Sequence, residues 1–184
     1  MQQLAQAVIV FAAYLAGGLS PGYWLVRLRT GGDIRASGSG SAGATNAGRV
    51  LGAGGFAAVL ALDLAKGAVC VAAARHLFNA PETTVGLAAA AVVLGHIWPL
   101  FLNFRGGKGV APLIGAWLVL CPAALVPVLL LGLAAYAVVR SFSMAGLAGL
   151  CALPVSTWWF VRERAGADLP ALQAGALALA VLVA

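Results

Sequence analysis

Residues 84–109 read TVGLAAAAVVLGHIWPLFLNFRGGKG, and this stretch joins the two features that decide the fold. Its first part, Thr84 to Leu102, is apolar and lacks Asp, Glu, Lys and Arg, and a membrane-spanning helix needs about 20 such residues. Its second part is a basic, glycine-rich loop, Phe104-Arg105-Gly106-Gly107-Lys108-Gly109. The pattern predicts a transmembrane helix that leads into a polar loop at the membrane surface.

The composition of the whole chain is typical of an integral membrane protein. Of its 184 residues, 62% are hydrophobic and 9% are charged, whereas a soluble domain has about 25% charged residues. The net charge is +6, and the cations gather in short loops beside apolar runs. This distribution favours contact with membrane lipids and an anionic substrate over nucleic acid. The sequence shows no metal-ligand spacing, so we expect no metal site.

Further apolar runs predict an all-α integral membrane protein, a compact helical bundle of six or seven transmembrane helices that forms one domain over residues 1–184. The expected spans are Leu4 to Val26, Ala47 to Phe78 as one long or broken crossing, Thr84 to Leu102, Val110 to Val139, Met144 to Val161 and Leu169 to Ala184. Pro122 and Pro127 leave open whether Val110 to Val139 is one tilted helix or two. The chain is still apolar at Ala184, and we expect the last helix to be truncated there.

The distribution of cations also predicts the orientation of the bundle. The amino terminus carries no Lys or Arg, and the first apolar run ends at Arg27 and Arg29, so its amino end is expected outside. If the second and third runs each cross once, both glycine-rich loops face the cytoplasm. With six spans Arg162 and Arg164 would also lie inside, and with seven spans Arg140 would.

The first glycine-rich loop lies at residues 38–49 and reads GSGSAGATNAGR. Exposed backbone N–H groups and fixed positive charge bind phosphate oxygens, and glycine lets the backbone come close. We expect Thr45 or Asn46 to cap a helix that starts near Ala47, with Arg49 reaching back to the amino end of that helix. Ser39 offers a hydroxyl group. The alternative is a flexible hairpin whose glycines only make turns.

The second loop and two neighbouring spans supply further candidate groups. Lys108 lies between two glycines with Arg105 three residues before it, and these cations either bind phosphate or only mark topology. His96 lies near the end of the span that enters this loop. Lys66 follows Asp63 by three residues, so the two can meet on one helix face inside the bundle. Lys66 is either a further cation below a phosphate site or a partner that neutralises Asp63.

Three ordered blocks resemble the signatures of the bacterial acyl-phosphate:glycerol-3-phosphate acyltransferases, the PlsY family. The blocks are Ser20-Pro21-Gly22-Tyr23 with Asp33-Ile34-Arg35 and residues 38–49, then residues 62–67, then residues 95–101 with residues 104–111. The resemblance implies a multi-pass enzyme of the bacterial inner membrane, with seven spans and a cytoplasmic active site. It implies acyl transfer from acyl phosphate to glycerol 3-phosphate in phospholipid biosynthesis, giving lysophosphatidic acid and phosphate, without a cofactor and without an evident obligate protein partner.

The resemblance also implies roles for particular residues. Ser39 and Arg49 match residues that bind substrate phosphate, and Lys108 matches a lysine that stabilises developing negative charge; these three are the predicted catalytic residues. The wider predicted set that binds substrate or phosphate is Gly38, Gly40, Gly43, Thr45, Asn46, Lys66, His96, Arg105, Gly106, Gly107 and Gly109. Ser41 stands where the family usually has asparagine, and a third signature, a His-Arg-x-Asn segment after the last span, is absent from the sequence.

Two other functions fit the same residues. A small membrane transporter for a phosphorylated solute would use the cations of the two loops as a binding gate. A non-catalytic paralogue would bind lipid or phosphate without transferring an acyl group.

Overall fold

The computed structural model describes residues 1–161, and these residues form helices and no strand. The α-helices are α1 Gln2–Gly18, α2 Pro21–Thr30, α3 Ala44–Ala72, α4 Glu82–Ile97, α5 Val110–Leu120, α6 Leu125–Val139, α7 Phe142–Leu150 and α8 Leu153–Val161. A π-helical turn, Ala73–Leu77, continues α3. Short 3₁₀ turns occupy Ile34–Ala36, Leu100–Leu102 and Pro122–Ala124.

Within the described part of the chain, four helical stretches are long and apolar enough to cross a membrane. They are Gln2–Thr30, Ala44–Leu77, Glu82–Leu102 and Pro122–Val139. The pair α7 and α8, bent by 42°, is a fifth if it forms one span, and α5 is apolar but shorter. The all-helical membrane architecture is confirmed. The total of six or seven spans stays a prediction, because the loop at Arg162 and Arg164, the span Leu169 to Ala184 and its truncation lie outside the described residues.

The first expected span, Leu4 to Val26, lies within the apolar stretch Gln2–Thr30, but this stretch contains a break that the sequence analysis did not predict. The α-helix ends at Gly18, and a new one begins at Pro21. Ser20 is the N-cap of α2, and proline suits the first helical position because the N–H that it lacks would have no partner there. The run from Val110 to Val139 also divides, at Cys121, into α5 and α6.

Helix α3 lies at the centre and packs against α2, α4 and α5, while α1 packs against α4 and α6 packs against α7. Glycines let the backbones of α3 and α5 touch. A Cβ on Gly67 would lie 2.1 Å from the carbonyl oxygen of Pro112, and one on Gly115 would lie 2.0 Å from that of Leu64. Such close packing through small residues is typical of helices in membranes.

The far end of α3, away from the glycine-rich loops, is tied to its neighbours by Arg75. Arg75 Nη1 donates a hydrogen bond to the carbonyl oxygen of Val119 at 2.9 Å, and Nη2 donates to Glu82 Oε2 at 2.6 Å. The carboxyl end of α5 therefore lies beside the turn between α3 and α4. Helix α5 thus runs from the second glycine-rich loop to the opposite end of the bundle.

Candidate functional site

A cavity of about 730 Å³ lies among α3, α5, α6 and α7. Most of its polar residues come from the loops and helix starts: Ser39, Ser41, Thr45, Asn46, Arg49, Lys108, Ser141 and Ser143. Asp63, His96 and Tyr136 also line it, from within α3, α4 and α6. Deeper along the helices the wall is mainly apolar and includes Leu60, Ile114, Val128 and Leu133. One cavity therefore joins a polar, cationic end to an apolar interior.

The structure brings Ser39, Arg49 and Lys108 together on the wall of this cavity. All three residues are exposed. The side chains of Arg49 and Lys108 make no hydrogen bond or ion pair with any residue from 1 to 161. Both cations are therefore available to an anion in the cavity, because no described carboxylate neutralises them.

Three helices begin at the polar end of the cavity. Their first residues there belong to α3 at Gly43 and Ala44, to α5 at Val110, and to α7 at Ser141 and Phe142. The first N–H groups of a helix have no partner within it, and the helix dipole is positive at that end. Oxygen atoms of a phosphate are suited to such a position.

The contribution of α7 was missed in the sequence. Ser141 is the N-cap of α7, and its hydroxyl accepts a hydrogen bond from the N–H of Met144 at 3.5 Å. Ser143 contacts the hydroxyl of Thr45 at 3.2 Å and so joins the starts of α7 and α3. The available signal was Ser141, directly after Arg140, because serine is typical of the residue that caps the start of a helix.

The first loop is wrapped around Asn46, whose exposed fraction is 1%. Asn46 Oδ1 accepts a hydrogen bond from the N–H of Ser39 at 3.0 Å. Its Nδ2 lies 2.9–3.0 Å from three carbonyl oxygens, those of Ile34, Ser37 and Ser41. Gly38 completes the fit, because it has φ +59° and a Cβ there would lie 2.1 Å from Asn46 Oδ1. A buried amide thus fixes the shape of the loop that carries Ser39.

The prediction that Thr45 or Asn46 caps α3 is wrong. Gly43 is the N-cap, without a side-chain hydrogen bond, and its carbonyl oxygen accepts from the N–H groups of Asn46 and Ala47. Asn46 lies inside the first turn and directs its amide back into the loop. The first helical N–H groups therefore stay free of a side-chain cap.

The second loop is held by backbone hydrogen bonds to the end of α4. The N–H of Gly106 donates to the carbonyl oxygen of Ile97 at 3.1 Å, and that of Gly107 donates to the carbonyl oxygen of His96 at 3.0 Å. The carbonyl oxygen of Gly106 in turn accepts from the N–H of Ala42 at 3.2 Å. The two glycine-rich loops therefore touch each other.

A second link between the two loop regions passes through Arg35. Its guanidinium group forms an ion pair with Asp33 at 2.7 Å, and Nη1 donates to the carbonyl oxygen of Leu102 at 2.6 Å. Hydrogen bonds from Arg35 lower the pKa of the Asp33 carboxyl, and the same contact raises the pKa of Arg35. The charged form of the pair is thus favoured.

Several predicted binding residues lie beside the cavity wall and not on it. Arg105 lines a separate surface recess with Asp33, Arg35, Ala36 and Asn103. Of the other predicted residues, four lie on the wall: Gly43, Thr45, Asn46 and His96. The predicted glycines that do not lie on it are Gly38, Gly40, Gly106, Gly107 and Gly109.

Lys66 is also away from the wall. Its Nζ donates to the carbonyl oxygens of Gly17 at 2.8 Å and Leu19 at 3.0 Å, and it forms an ion pair with Asp63 at 2.9 Å. Within residues 1–161, no group of three or more His, Cys, Asp and Glu side chains is arranged to hold a metal ion.

A protein-family model described as glycerol-3-phosphate acyltransferase matches residues 7–184 of the chain. Glycerol-3-phosphate acyltransferase 1 of Desulfitobacterium hafniense (strain Y51) is 47% identical over 147 residues, which cover 80% of this chain and 72% of the relative. The glycerol-3-phosphate acyltransferase of Myxococcus xanthus (strain DK1622) is 46% identical over 143 residues, which cover 77% of this chain and 74% of that relative.

The fold is similar to a solved structure as well. It matches the crystal structure of PlsY (YgiH), an integral membrane glycerol 3-phosphate acyltransferase, in its glycerol 3-phosphate form, with a TM-score of 0.84 and 28% identity. The match covers 97% of this chain and 86% of that chain. The lysophosphatidic acid form of the same protein matches with a TM-score of 0.80.

Proposed function

The chain belongs to the glycerol-3-phosphate acyltransferase family, and from this premise we propose that the cavity is where glycerol 3-phosphate receives an acyl group from acyl phosphate. The chain is an integral membrane acyltransferase of phospholipid synthesis. The identity of the donor, the residues that act and the membrane face of the site are our proposals.

The observation that carries the proposal is the continuity between the cationic end and the apolar interior of the cavity. Acyl phosphate has a phosphate group at one end and a hydrocarbon chain at the other, and glycerol 3-phosphate is small and anionic. The two unpaired cations and the three helix starts suit the phosphate groups. The apolar wall between the helices suits the acyl chain, because it keeps hydrocarbon out of water.

In the proposed reaction, the glycerol hydroxyl oxygen attacks the acyl carbonyl carbon of the donor directly. A C–O ester bond forms, the bond between the carbonyl carbon and the phosphate oxygen breaks, and phosphate leaves with its electron pair. A phosphate oxygen takes the hydroxyl proton, so no covalent enzyme intermediate is needed. Lys108 and Arg49 stabilise the negative charge on the transferring groups, and Ser39 orients a phosphate group by hydrogen bonding.

We further propose that the chain has seven spans and that the cavity opens to the cytoplasm of a bacterial inner membrane. The contact between Thr45 and Ser143 supports this count, because it puts the connection between α6 and α7 at the end that carries both loops. Arg75 joins the far end of α5 to the turn before α4, as expected if α5 and α6 each cross once. Arg140 then lies with the other loop cations on the inner side, in agreement with the positive-inside rule.

The donor is tested with purified protein in lipid vesicles. Glycerol 3-phosphate is mixed with either acyl phosphate or an acyl thioester of the same chain length, and both lysophosphatidic acid and free phosphate are measured. We expect equal amounts of the two products with acyl phosphate and no product with the thioester.

The same vesicles distinguish the transporter alternative. Uptake of radiolabelled glycerol 3-phosphate is measured without an acyl donor, and we expect none above that of empty vesicles. Uptake without acyl transfer would overturn the proposed use of the cavity, and product from the thioester alone would overturn the proposed donor.

A further inference from the structure

Asp63, Lys66 and His96 form a buried cluster between α3 and α4, beside the break between α1 and α2. The exposed side-chain fractions are 2% for Asp63, 11% for Lys66 and 5% for His96. Lys66 Nζ lies 2.9 Å from His96 Nδ1, and His96 Nδ1 lies 3.4 Å from Asp63 Oδ1. The carboxylate and the ammonium group neutralise each other, so the cluster can be buried without a net charge.

The hydrogens of Lys66 are fully used in this arrangement. An ammonium group has three hydrogens to donate and no lone pair to accept one. Two hydrogens go to the carbonyl oxygens of Gly17 and Leu19, which the break after α1 leaves without helical partners. His96 Nδ1 and Asp63 Oδ1 both lie 2.9 Å from Nζ, and the third hydrogen is assigned to Nδ1 because this carboxylate oxygen accepts no hydrogen bond from any described residue.

We infer that Lys66 fixes the tautomer of His96, so that Nδ1 accepts a hydrogen bond and Nε2 carries the hydrogen of a neutral imidazole. In the neutral ring one nitrogen donates and the other accepts, so the donor at Nδ1 decides the state of Nε2. His96 lies on the cavity wall, and its Nε2 makes no hydrogen bond with any residue from 1 to 161. Nε2 is therefore a hydrogen-bond donor for a phosphate oxygen in the cavity.

The second loop packs closely against this nitrogen. A Cβ on Gly107 would lie 2.1 Å from His96 Nε2. The backbone of Gly107 is itself held by the carbonyl oxygen of His96 at 3.0 Å. A side chain at position 107 would therefore collide with Nε2, and glycine is the residue that fits there.

The opposite tautomer gives His96 a different chemical role. With the hydrogen on Nδ1, His96 would donate to Asp63 across 3.4 Å and would present the lone pair of Nε2 as a base. That state puts an N–H group against the ammonium group of Lys66 at 2.9 Å, without an acceptor between them. The short contact to Lys66 therefore decides the tautomer over the longer one to Asp63.

This inference rests on the proposed function for its ligand, which is the phosphate group of glycerol 3-phosphate or of the acyl donor. Lys66 is a positioning residue in this account, because it acts on the ligand only through His96. The sequence placed Lys66 among the residues predicted to bind phosphate directly, and the positioning role takes the place of that prediction.

Nitrogen NMR reads the tautomer without reference to activity. The chain has two histidines, His76 and His96, and His76 is exposed in the π-helical turn far from the cavity. The His76→Gln variant, labelled with ¹⁵N in the remaining imidazole, is measured in lipid nanodiscs near neutral pH. We expect a protonated Nε2 and an unprotonated, hydrogen-bonded Nδ1. A hydrogen on Nδ1, alone or in an imidazolium ion, would overturn the inference.

Binding of inorganic phosphate and of glycerol 3-phosphate tests the donor role. Glutamine at position 96 can offer its carbonyl to Lys66 and its NH₂ group to the cavity, whereas leucine offers neither. We expect His96→Gln to keep the affinity within a few-fold and His96→Leu to lose on the order of tenfold to a hundredfold. Equal losses in both variants would contradict the donor role.

The two accounts fail separately. If the wild-type protein binds phosphate through a protonated Nε2 but transfers no acyl group, the proposed function is wrong and the inference about His96 stands. If acyl transfer proceeds while Nδ1 carries the hydrogen, the inference is wrong and the proposed function stands.

Discussion

The two ends of α3 carry cations in opposite circumstances. Arg75, beyond the carboxyl end, donates to Val119 and Glu82 and so joins α3, α4 and α5. Arg49, near the amino end, is exposed on the cavity with Lys108, and neither has a partner among residues 1–161. A cation that is already paired stabilises the bundle, whereas an unpaired cation in a cavity is available to a ligand. Substitutions at the two ends should therefore have different consequences.

The largest effect is expected from Lys108→Ala. Losing a cation that stabilises charge in the transition state typically lowers kcat by about 10²–10³-fold. Arg105→Ala is the matched control. It removes a cation from the same loop, but Arg105 lines a separate surface recess and not the cavity. The kcat of each variant is measured by steady-state acyl transfer, and its unfolding temperature is measured in detergent, both against the wild type.

We expect Arg105→Ala to keep kcat within a few-fold and both variants to unfold near the wild-type temperature. Equal turnover by Lys108→Ala and the wild type would remove Lys108 from the site. Equal losses in both variants would mean that the loop acts only through its total charge.

A large effect of another kind is expected from Asn46→Leu. This change leaves the carbonyl oxygen of Ser41 and the N–H of Ser39 without their hydrogen-bond partner, at a cost of about 1–3 kcal/mol for each unsatisfied group. The carbonyl oxygens of Ile34 and Ser37 lose one of their two hydrogen bonds. The loop should open and activity should fall together with thermal stability. Thr45→Val, which removes a single hydroxyl contact to Ser143, should cost less in both measurements.

At the far end, Arg75→Met should lower stability and leave substrate affinity alone. The lost pair is partly exposed, so we expect a loss of about 1 kcal/mol, which corresponds to a decrease in melting temperature of roughly 2–4 °C for a chain of this size. The KM for glycerol 3-phosphate, measured at a temperature where the variant is folded, should be unchanged. A raised KM would show that the far end of α3 is coupled to substrate binding, which contradicts this expectation.

The smallest effect concerns pH and the pair of Asp33 and Arg35. The pKa of Asp33 is lowered in the folded protein from its ordinary value of 3.8, so the unfolded chain takes up a proton first as pH falls. The stabilisation is therefore present above pH 3.8 and is lost as pH falls through the lower folded pKa. Asp33→Asn should lower the melting temperature slightly at neutral pH. In strong acid the melting temperatures of the variant and the wild type should become equal. A difference in melting temperature between variant and wild type that grows as pH falls would contradict this expectation.

Hydropathy predicted where the chain crosses the membrane better than where its helices break. The run from Thr84 to Leu102 contains α4 from its third residue onward and the turn after it, as the absence of charge indicated. The break between Gly18 and Pro21 was missed, because apolar composition is the same on both sides of it. The division at Cys121 was one of two alternatives that the prolines had left open.

The candidate site was predicted in part for a similar reason. The phosphate chemistry of the two glycine-rich loops is a local property, so Ser39, Arg49 and Lys108 could be proposed from neighbouring residues. The role of Asn46 depends on a loop that folds back across the start of α3, and the role of Ser143 depends on α7, which is distant in the chain. Contacts between residues that are distant in the chain leave no pattern among neighbouring residues from which they could be predicted.

The central claim is that Arg49 and Lys108 act on one anion in one cavity, and a double-mutant cycle of binding tests it most directly. The dissociation constant for glycerol 3-phosphate is measured by calorimetry for the wild type, Arg49→Gln, Lys108→Gln and the double variant. The account predicts that both single changes weaken binding and that their effects are coupled by about 0.5 kcal/mol or more, as for residues that share a partner. Independent effects that simply add, or a single change without effect, would contradict it.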